Sequence, residues 1–117
     1  MDTETIIRAF VEQYNRDGSD VYALYGETVD WLEMPSGRRG GRRELFDALK
    51  QVRDYFTDMK LEILSLIASG PHAVLESNWT ARNKADDTQI AARIIWFFRI
   101  EEGKIVKEHD YSVMPQG

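Results

Sequence analysis

Two carboxylic acids near the end of the chain, Glu108 and Asp110, are placed where they could carry out acid–base chemistry. The run from Lys104 to Val113 follows a glycine turn, and in a strand its side chains alternate between two faces. One face carries Val106, Glu108, Asp110 and Ser112, and the other carries Ile105, Lys107, His109 and Tyr111. A carboxylate moved out of water is usually paired, protonated or used in chemistry. The alternation therefore indicates a reactive acid, provided that the rest of the chain builds a cavity.

A third acid, Glu33, lies near the end of the strand-like segment Val29 to Met34, which Pro35 stops. Two carboxylates that share a dry site push one pKa upward, so one can act as an acid and the other as a base. We predict that Asp110 is the base and that Glu33 is the acid or orients a water molecule. In the alternative interpretation, either carboxyl is only hydrogen-bonded to a polar neighbour or lies at a wet mouth.

Other residues on the same predicted face complete a pocket. The residues expected to orient polar atoms of a ligand are Tyr14, Asn78 and Thr80, and those expected to form its walls are Trp31, Ile94 and Trp96. Glu108 makes this pocket more acidic, and Glu76 is assigned to the same face. Alternation assigns Trp79 and Phe97 to the opposite, convex face. The sequence shows no motif of spaced metal ligands, so no metal and no cofactor are predicted.

The elements that must position these residues change period along the chain. Apolar residues at helical spacing predict a first helix over residues 3–16 and a third helix whose apolar face runs from Leu45 to Phe56. A short second helix is expected from Ser19 through Tyr25. Four strands are expected after Met59, over residues 60–69, 72–82, 89–100 and 104–113. The order α-α-β-α-β-β-β-β predicts an α+β fold in which three N-terminal helices pack on a mixed, mostly antiparallel sheet.

The composition limits the classes of function. A chain of 117 residues with 43% hydrophobic and 30% charged residues predicts one globular domain over residues 1–117. The absence of cysteine excludes disulfides, thiolate metal sites and cysteine nucleophiles. The acidic start is unlike a secretory signal, and the longest apolar run, Ile94 to Phe98, is too short to span a membrane. We therefore expect a cytoplasmic protein.

The charge distribution argues against nucleic-acid binding. A net charge of -5 opposes binding along a phosphate backbone, which needs a positive field. The exception is the basic segment Arg38 to Arg43, which leads into the third predicted helix. It could hold an anion at the helix N-terminus, or it could be a solvated loop at the rim; the sequence leaves both interpretations open.

Several landmarks together resemble the nuclear transport factor 2-like superfamily. They are the element order, the segment Trp31 to Pro35, the segment Gly41 to Glu44 that opens the third helix, and Gly103 to Ile105 followed by Asp110 and Tyr111. Within the superfamily the pattern is similar to SnoaL-like polyketide cyclases and to limonene epoxide hydrolase, over essentially the whole chain. The resemblance implies a strongly curved sheet wrapped round a long helix, forming a cone with an apolar pocket at its open end.

The resemblance also implies roles for single residues. In the epoxide hydrolase branch, the positions of Trp31, Glu33 and Asp110 help to hold and activate a water molecule. The Arg and Asp essential to that enzyme fall on Asn78 and Thr80, which removes the acid that would protonate an epoxide. In ketosteroid isomerase, a relative, the hydrogen-bonding acid falls on Trp96, and an indole N–H cannot replace it. The resemblance therefore implies a fold and a pocket rather than a particular reaction.

Long strands with two partly apolar faces need cover on both sides, and three helices can cover only one. The sequence therefore predicts a homodimer through the convex face of the sheet. The function that we predict is cofactor-free acid–base catalysis on a hydrophobic small molecule, by isomerisation, cyclisation, dehydration or hydration. The alternative is a non-catalytic binding or dimerisation module on the same fold, with the cone plugged by Phe10, Trp31 and Trp96.

Overall fold

The computed structural model of this protein describes residues 2–16 and 19–113. Within these ranges the chain forms an α+β fold in which two α-helices and one short 3-10 helix accompany a six-stranded mixed sheet. In chain order the elements are α1 (Thr3–Arg16), the 3-10 helix (Ser19–Leu24), β1 (Tyr25–Met34), β2 (Arg38–Gly40), α2 (Arg42–Tyr55), β3 (Phe56–Ser69), β4 (His72–Asn83), β5 (Gln89–Glu101) and β6 (Lys104–Val113).

The helices form where apolar side chains repeat at helical spacing. In α1 these side chains are fully buried at Ile6, Ile7 and Phe10, and the Asp2 carboxylate accepts a hydrogen bond from the Thr5 backbone N–H at 2.8 Å. The prediction of three α-helices is wrong, because Ser19–Leu24 is a six-residue 3-10 helix. So short a segment gains little from α-helical hydrogen bonds after nucleation, and a 3-10 turn suffices as a connector.

The sheet is mixed and mostly antiparallel, as predicted, and it does not close into a barrel. Its strand order is β2-β1-β6-β5-β4-β3, with β1 and β6 as the parallel pair. The predicted basic loop contains the three-residue strand Arg38–Gly40, which pairs antiparallel with β1. The first and last long strands of the chain therefore lie side by side, which brings their acidic residues together.

A tight hairpin joins β5 to β6, the strand that carries Glu108 and Asp110. Its two loop residues, Glu102 and Gly103, have positive φ angles of 50° and 75°, as type I′ hairpin turns require. The register then shifts, because Arg99 pairs with Lys107 but Ile100 pairs with Ile105.

This shift is a bulge that exchanges the two faces of β6. The sequence alternation placed Val106 on the inner face and Ile105 on the outer face, whereas Ile105 is fully buried in the core. This correction follows from the extra residue in β6, which inverts the alternation before the bulge. Beyond the bulge, Glu108 and Asp110 face inward, as the alternation predicts, and both are buried.

The two faces of the sheet differ in cover. The inner face packs against both helices, and the aromatic rings of Phe10, Trp96 and Phe98 meet there at centroid distances of 5.5–5.9 Å. The outer face exposes several large apolar side chains, namely Leu64, Ile67, Val74, Ile95, Phe97, Tyr111 and Val113. In the part of the chain that the structure describes, neither α-helix has the length and apolarity needed to cross a membrane.

Candidate active site

The strand pairing aligns four site residues in one row across the sheet. Glu33 in β1 is paired with Arg38 of β2 on one side and with Asp110 of β6 on the other. Asp110 is in turn paired with Trp96 of β5. We call Arg38, Glu33, Asp110 and Trp96 the cross-strand row. Two residues earlier on the same strands, Glu108 is paired with Trp31, so three carboxyl groups come from two neighbouring strands.

A cavity of about 170 Å³ lies over this part of the sheet. Carboxyl groups reach it from Glu33, Glu108 and Asp110. The apolar lining consists of Trp31, Leu45, Ala48, Leu49, Val52, Trp79, Ala92, Ile94 and Trp96, joined by Tyr14 and Ser112. Phe10 lies in the core and does not plug the cavity. An apolar chamber with a few convergent polar groups is the usual form of a small-molecule site.

Asp110 is the most perturbed acid whose side chain reaches the cavity. Its residue is 8% exposed, and this burial raises the pKa of its carboxyl to about 8, with Glu108 and Glu33 acting in the same direction. The positive charge of Arg38 and a hydrogen bond with the Trp31 side chain act in the opposite direction and lower the pKa. At neutral pH most Asp110 side chains therefore keep their proton.

Glu108 is held deeper in the structure than Asp110. It is 1% exposed, and it accepts a hydrogen bond from the phenolic O–H of Tyr25. Burial raises the pKa of Glu108 to about 7, the Tyr25 hydrogen bond lowers it, and the charge of Glu33 raises it. Among residues 2–16 and 19–113, no lysine or arginine forms an ion pair with Glu108 or Asp110.

Glu33 lies at the wetter edge of the cavity and has a cationic partner. Its side chain is 27% exposed and lies 3.0 Å from a guanidinium nitrogen of Arg38. The hydroxyl of Ser36 donates a second hydrogen bond to the same carboxylate at 2.8 Å. The three acids therefore differ in kind, because Glu33 is compensated at the mouth whereas the two deeper acids are not.

The polar atoms of the aromatic residues are engaged within the protein. The indole N–H of Trp79 donates to the Tyr14 hydroxyl at 2.8 Å, and burial raises the pKa of Tyr14 to about 12. The indole N–H of Trp96 donates to the Ser77 hydroxyl at 2.9 Å. Trp96 therefore presents an apolar surface to the cavity, and its N–H is not directed at a ligand.

Seven of the nine residues predicted for the site line this cavity, and they are Tyr14, Trp31, Glu33, Ile94, Trp96, Glu108 and Asp110. Asn78 and Thr80 do not line it, which corrects their assignment to the inner face. Both lie on the outer face beside Lys60 and Glu62, and the Asn78 side-chain oxygen accepts a hydrogen bond from the guanidinium of Arg93.

Glu76 and Trp79 require the same correction. Glu76 lies on the outer face, where it forms an ion pair with Arg93 at 2.9 Å. Trp79, predicted for the convex face, is 8% exposed and lines the cavity. The alternation in β4 was correct, but the two faces were exchanged. The face with Trp79 also carries Ala73, Leu75 and Ala81, which are buried in the core. The other face carries Glu76, Asn78 and Thr80, whose polar groups can be solvated.

Two polar partners of the site acids, and much of the apolar lining, are not among the residues predicted from the sequence. Tyr25 binds Glu108 across 83 positions of sequence, and no spacing pattern connects the two. Arg38 was read as part of a loop, although cross-strand pairing with Glu33 requires a strand there. Val52 and Leu49 of α2 also line the cavity. Their helical spacing from Leu45 is the one sequence signal that this helix covers the pocket.

Two further predictions can be compared with the structure. His109 lies on the face opposite Asp110, where its Nε2 is 3.0 Å from the Asp30 carboxylate. In the basic segment, the N-terminus of α2 is already occupied by a carboxylate of the chain itself, because the Gly41 N–H donates to Glu44 Oε1 at 2.7 Å. Arg38 is likewise engaged by Glu33. Both observations favour a structural role for the segment over anion binding.

Comparison with known proteins identifies relatives of the whole fold. A sequence profile of the SnoaL-like domain matches residues 7–108. AclR of Streptomyces galilaeus, which is named as a hydroxylase, is 17% identical with a TM-score of 0.84, and the match covers 95% of this chain and 78% of that chain. A Xanthomonas campestris protein named as a polyketide cyclase is 19% identical with a TM-score of 0.82, over 92% and 87%.

A third solved structure, from Kribbella flavida, is named as a ketosteroid isomerase. It is 23% identical with a TM-score of 0.75, and the match covers 97% of this chain and 78% of that chain. At these identities the likeness establishes the NTF2-like fold alone. No curated protein matches the chain in sequence.

Proposed function

The chain belongs to the SnoaL-like domain family, and from that premise we propose that it is an enzyme of cofactor-free acid–base chemistry on a hydrophobic small molecule. The observation that carries the proposal is the Asp110 carboxyl, which is buried, lies against an apolar cavity and has a pKa raised to about 8. A group of this pKa has both protonation states accessible near neutral pH, as a general acid and base requires.

Asp110 is the group that exchanges a proton with the ligand. In an isomerisation, its carboxylate takes a proton from a carbon beside a carbonyl, leaving an enolate and a neutral Asp110. The neutral acid then returns the proton to another carbon of the conjugated system, which restores the carboxylate. Cyclisation, dehydration and hydration likewise need a proton moved at a carbon or an oxygen. Because Asp110 is largely protonated at pH 7, the same residue also serves as the donor to a ligand oxygen.

The lining of the cavity supports a hydrophobic ligand with few polar atoms. The indole rings of Trp31, Trp79 and Trp96 and the aliphatic side chains of α2 provide apolar walls. Glu33, compensated by Arg38, orients a polar atom of the ligand or a water molecule at the mouth. Relatives named as a polyketide cyclase and a ketosteroid isomerase make a cyclic ligand the first class to test.

The test is a panel of hydrophobic cyclic ketones and enones incubated with the protein in deuterated buffer. Proton NMR follows loss of the hydrogens beside the carbonyl, so exchange is detected without knowledge of the natural product. We expect protein-dependent exchange of at least one compound and a loss of 10²-fold or more in Asp110→Asn, about the share that acid–base catalysis contributes. Asp54→Asn, which removes an exposed carboxyl on α2, is the matched control.

The outcomes separate the enzyme from a binding module on the same fold. Exchange that survives Asp110→Asn would overturn the role of Asp110. Compounds that bind tightly, shown by a raised melting temperature, but never exchange would favour a non-catalytic binding protein. The Asp54 variant shows whether loss of any one carboxylate lowers exchange, and the melting temperature of the Asp110 variant shows whether that variant is folded.

We also propose that the protein forms a homodimer through the outer face of the sheet. The apolar side chains exposed there include Phe97, which is 41% exposed, and Ile95, which is 36% exposed. Charged groups of both signs lie among them, such as Glu76 and Arg93, and a two-fold interface can place one sign against the other. Sedimentation equilibrium should give a dimer that Phe97→Lys converts to a monomer; a stable native monomer would exclude it.

A further inference from the structure

The cross-strand row contains one strong contact that the proposed function does not yet explain. Arg38 holds Glu33 with two nitrogens, because Nη2 lies 3.0 Å from Oε1 and 3.2 Å from Oε2, and Nε lies 3.2 Å from Oε1. A guanidinium bound in this way fixes the position and the orientation of the carboxylate.

The same guanidinium is anchored on two further sides. Its Nη1 donates to the side-chain oxygen of Gln51 on α2 at 3.1 Å, and its central carbon lies 5.7 Å from the centre of the Trp31 ring. Arg38 therefore joins β1, β2 and α2 across the mouth of the cavity. Although the Arg38 side chain is 47% exposed, residues of two other elements, β1 and α2, hold its guanidinium in place.

The strand pairing places the contact between Arg38 and Glu33 directly beside Asp110. Glu33 lies between Arg38 and Asp110 in the cross-strand row, so an uncompensated charge on Glu33 would act directly on Asp110. The titratable and charged groups that face Asp110 are Glu108 from β6, Glu33 and Tyr25 from β1, Arg38 from β2 and Tyr14 from α1. Arg38 is the sole cation among these described groups.

We propose that Arg38 is a positioning residue that acts mainly through Glu33: it holds the Glu33 carboxylate at the mouth and balances its charge there, and so leaves Asp110 as the acid that exchanges the proton. This inference rests on the proposed function in one respect, the assignment of Asp110 as the group that exchanges a proton with a ligand. The electrostatic relation itself exists in the protein without a ligand, and it can be measured there.

The experiment is a pH titration of the Asp110 side-chain carboxyl carbon by NMR in labelled protein, with the resonance assigned from Asp110→Asn. The variants are Arg38→Gln, Glu33→Gln and the double variant, which together form a double-mutant cycle. Arg39→Gln, an exposed arginine beside Arg38 in the same strand, is the matched control.

We expect Arg38→Gln to raise the pKa of Asp110 by roughly 0.5, the scale of a partly exposed charge pair. In the Glu33→Gln background the same substitution should change it by less than half as much, because only the direct attraction between Arg38 and Asp110 then remains. The control should leave the titration unchanged. Arg38→Lys keeps the charge but loses the two-nitrogen contact, and should produce a smaller rise.

An equal rise in both backgrounds would overturn the proposal, because the whole effect of Arg38 on Asp110 would then be direct and none of it would pass through Glu33. No rise in either background would overturn it as well. Since the titration uses no substrate, a protein that catalyses none of the tested reactions can still show the predicted coupling. Failure of the proposed function and failure of this inference are therefore separate results.

Discussion

The carboxylates on the two faces of the sheet differ in burial and in their cationic partners. On the outer face, Glu76 lies 2.9 Å from Arg93, and Asp30 lies 3.0 Å from His109. On the inner face, Glu108 and Asp110 are buried and have no lysine or arginine in an ion pair within the described chain. Burial without compensation is costly unless the group keeps its proton. The difference supports the proposal that the inner acids take part in chemistry, whereas the outer acids are paired at the surface.

The largest expected effect compares two aromatic neighbours on opposite faces. Trp96 is 6% exposed and Phe97 is 41% exposed. We expect Trp96→Ala to lower the free energy of unfolding by about 3–5 kcal/mol, because it leaves a cavity in the core. Phe97→Ala should cost less than about 1 kcal/mol in the monomer.

Urea unfolding at several protein concentrations measures both variants. A cost for Phe97→Ala that grows with protein concentration would show that the outer face is covered by a second subunit. Equal costs at low concentration would contradict the division into a buried and a solvated face.

The next effect concerns Asp110 and the dependence of stability on pH. Its pKa in the folded state, about 8, lies above the roughly 3.9 of an unfolded chain. The folded state therefore binds the proton more tightly, and stability is lost as the pH rises from about 4 through about 8. We expect Asp110→Asn to raise the free energy of unfolding by about 1–3 kcal/mol at pH 8 and by much less at pH 5. Such a gain in stability often follows when a functional group held in an unfavourable environment is removed.

Thermal or urea unfolding at pH 5 and pH 8 gives these two values. Glu76→Gln is the control from the outer face and should show no gain that increases with pH. A pH-independent effect of Asp110→Asn would mean that the acid is ionised in the folded protein throughout this range.

A smaller effect is expected at the hydrogen bond between Tyr25 and Glu108. Tyr25 donates to this carboxyl and thereby lowers the pKa of Glu108. Tyr25→Phe should therefore raise the pKa of Glu108 above about 7, and should destabilise the protein by about 1–2 kcal/mol at neutral pH by leaving a buried acceptor unsatisfied. Carboxyl NMR titration of Glu108 measures the change, and a fall in its pKa would contradict the assigned direction.

The smallest effect belongs to the outer ion pair. In the monomer, Glu76→Gln should change the free energy of unfolding by less than about 0.5 kcal/mol, because both partners are substantially exposed there. The effect should also shrink as salt is added. A cost of 2 kcal/mol or more in urea unfolding would show that this pair is desolvated, as it would be inside a dimer interface.

Much of the fold could be predicted from periodicity, but the facing of one strand could not. Alternation separates Glu76 and Asn78 from Leu75 and Trp79, whereas only the position of the helices decides which set faces inward. Aligning β4 with a catalytic set from relatives favoured the polar side chains for the interior. Burying the polar groups of Glu76, Asn78 and Arg93 together would cost free energy. That cost would have favoured the outer face for this set.

The acids of the candidate site could be predicted from the sequence, but the residues that contact them could not. Asp110 and Glu33 could be proposed from strand ends and family resemblance, since both depend on local sequence. Their neighbours depend on register, which a bulge in β6 and a three-residue strand containing Arg38 determine. The contact from Tyr25 to Glu108 joins residues far apart in sequence, and no local rule predicts it.

The central claim is that Asp110 is a buried acid that keeps its proton at neutral pH. The most direct measurement is the carboxyl-carbon NMR titration of Asp110 in the native protein, with Asp110→Asn to assign the resonance. The predicted result is a midpoint near pH 8, in agreement with the pKa that burial gives this carboxyl. A midpoint below about 5, close to the value of a solvated aspartate, would contradict the account.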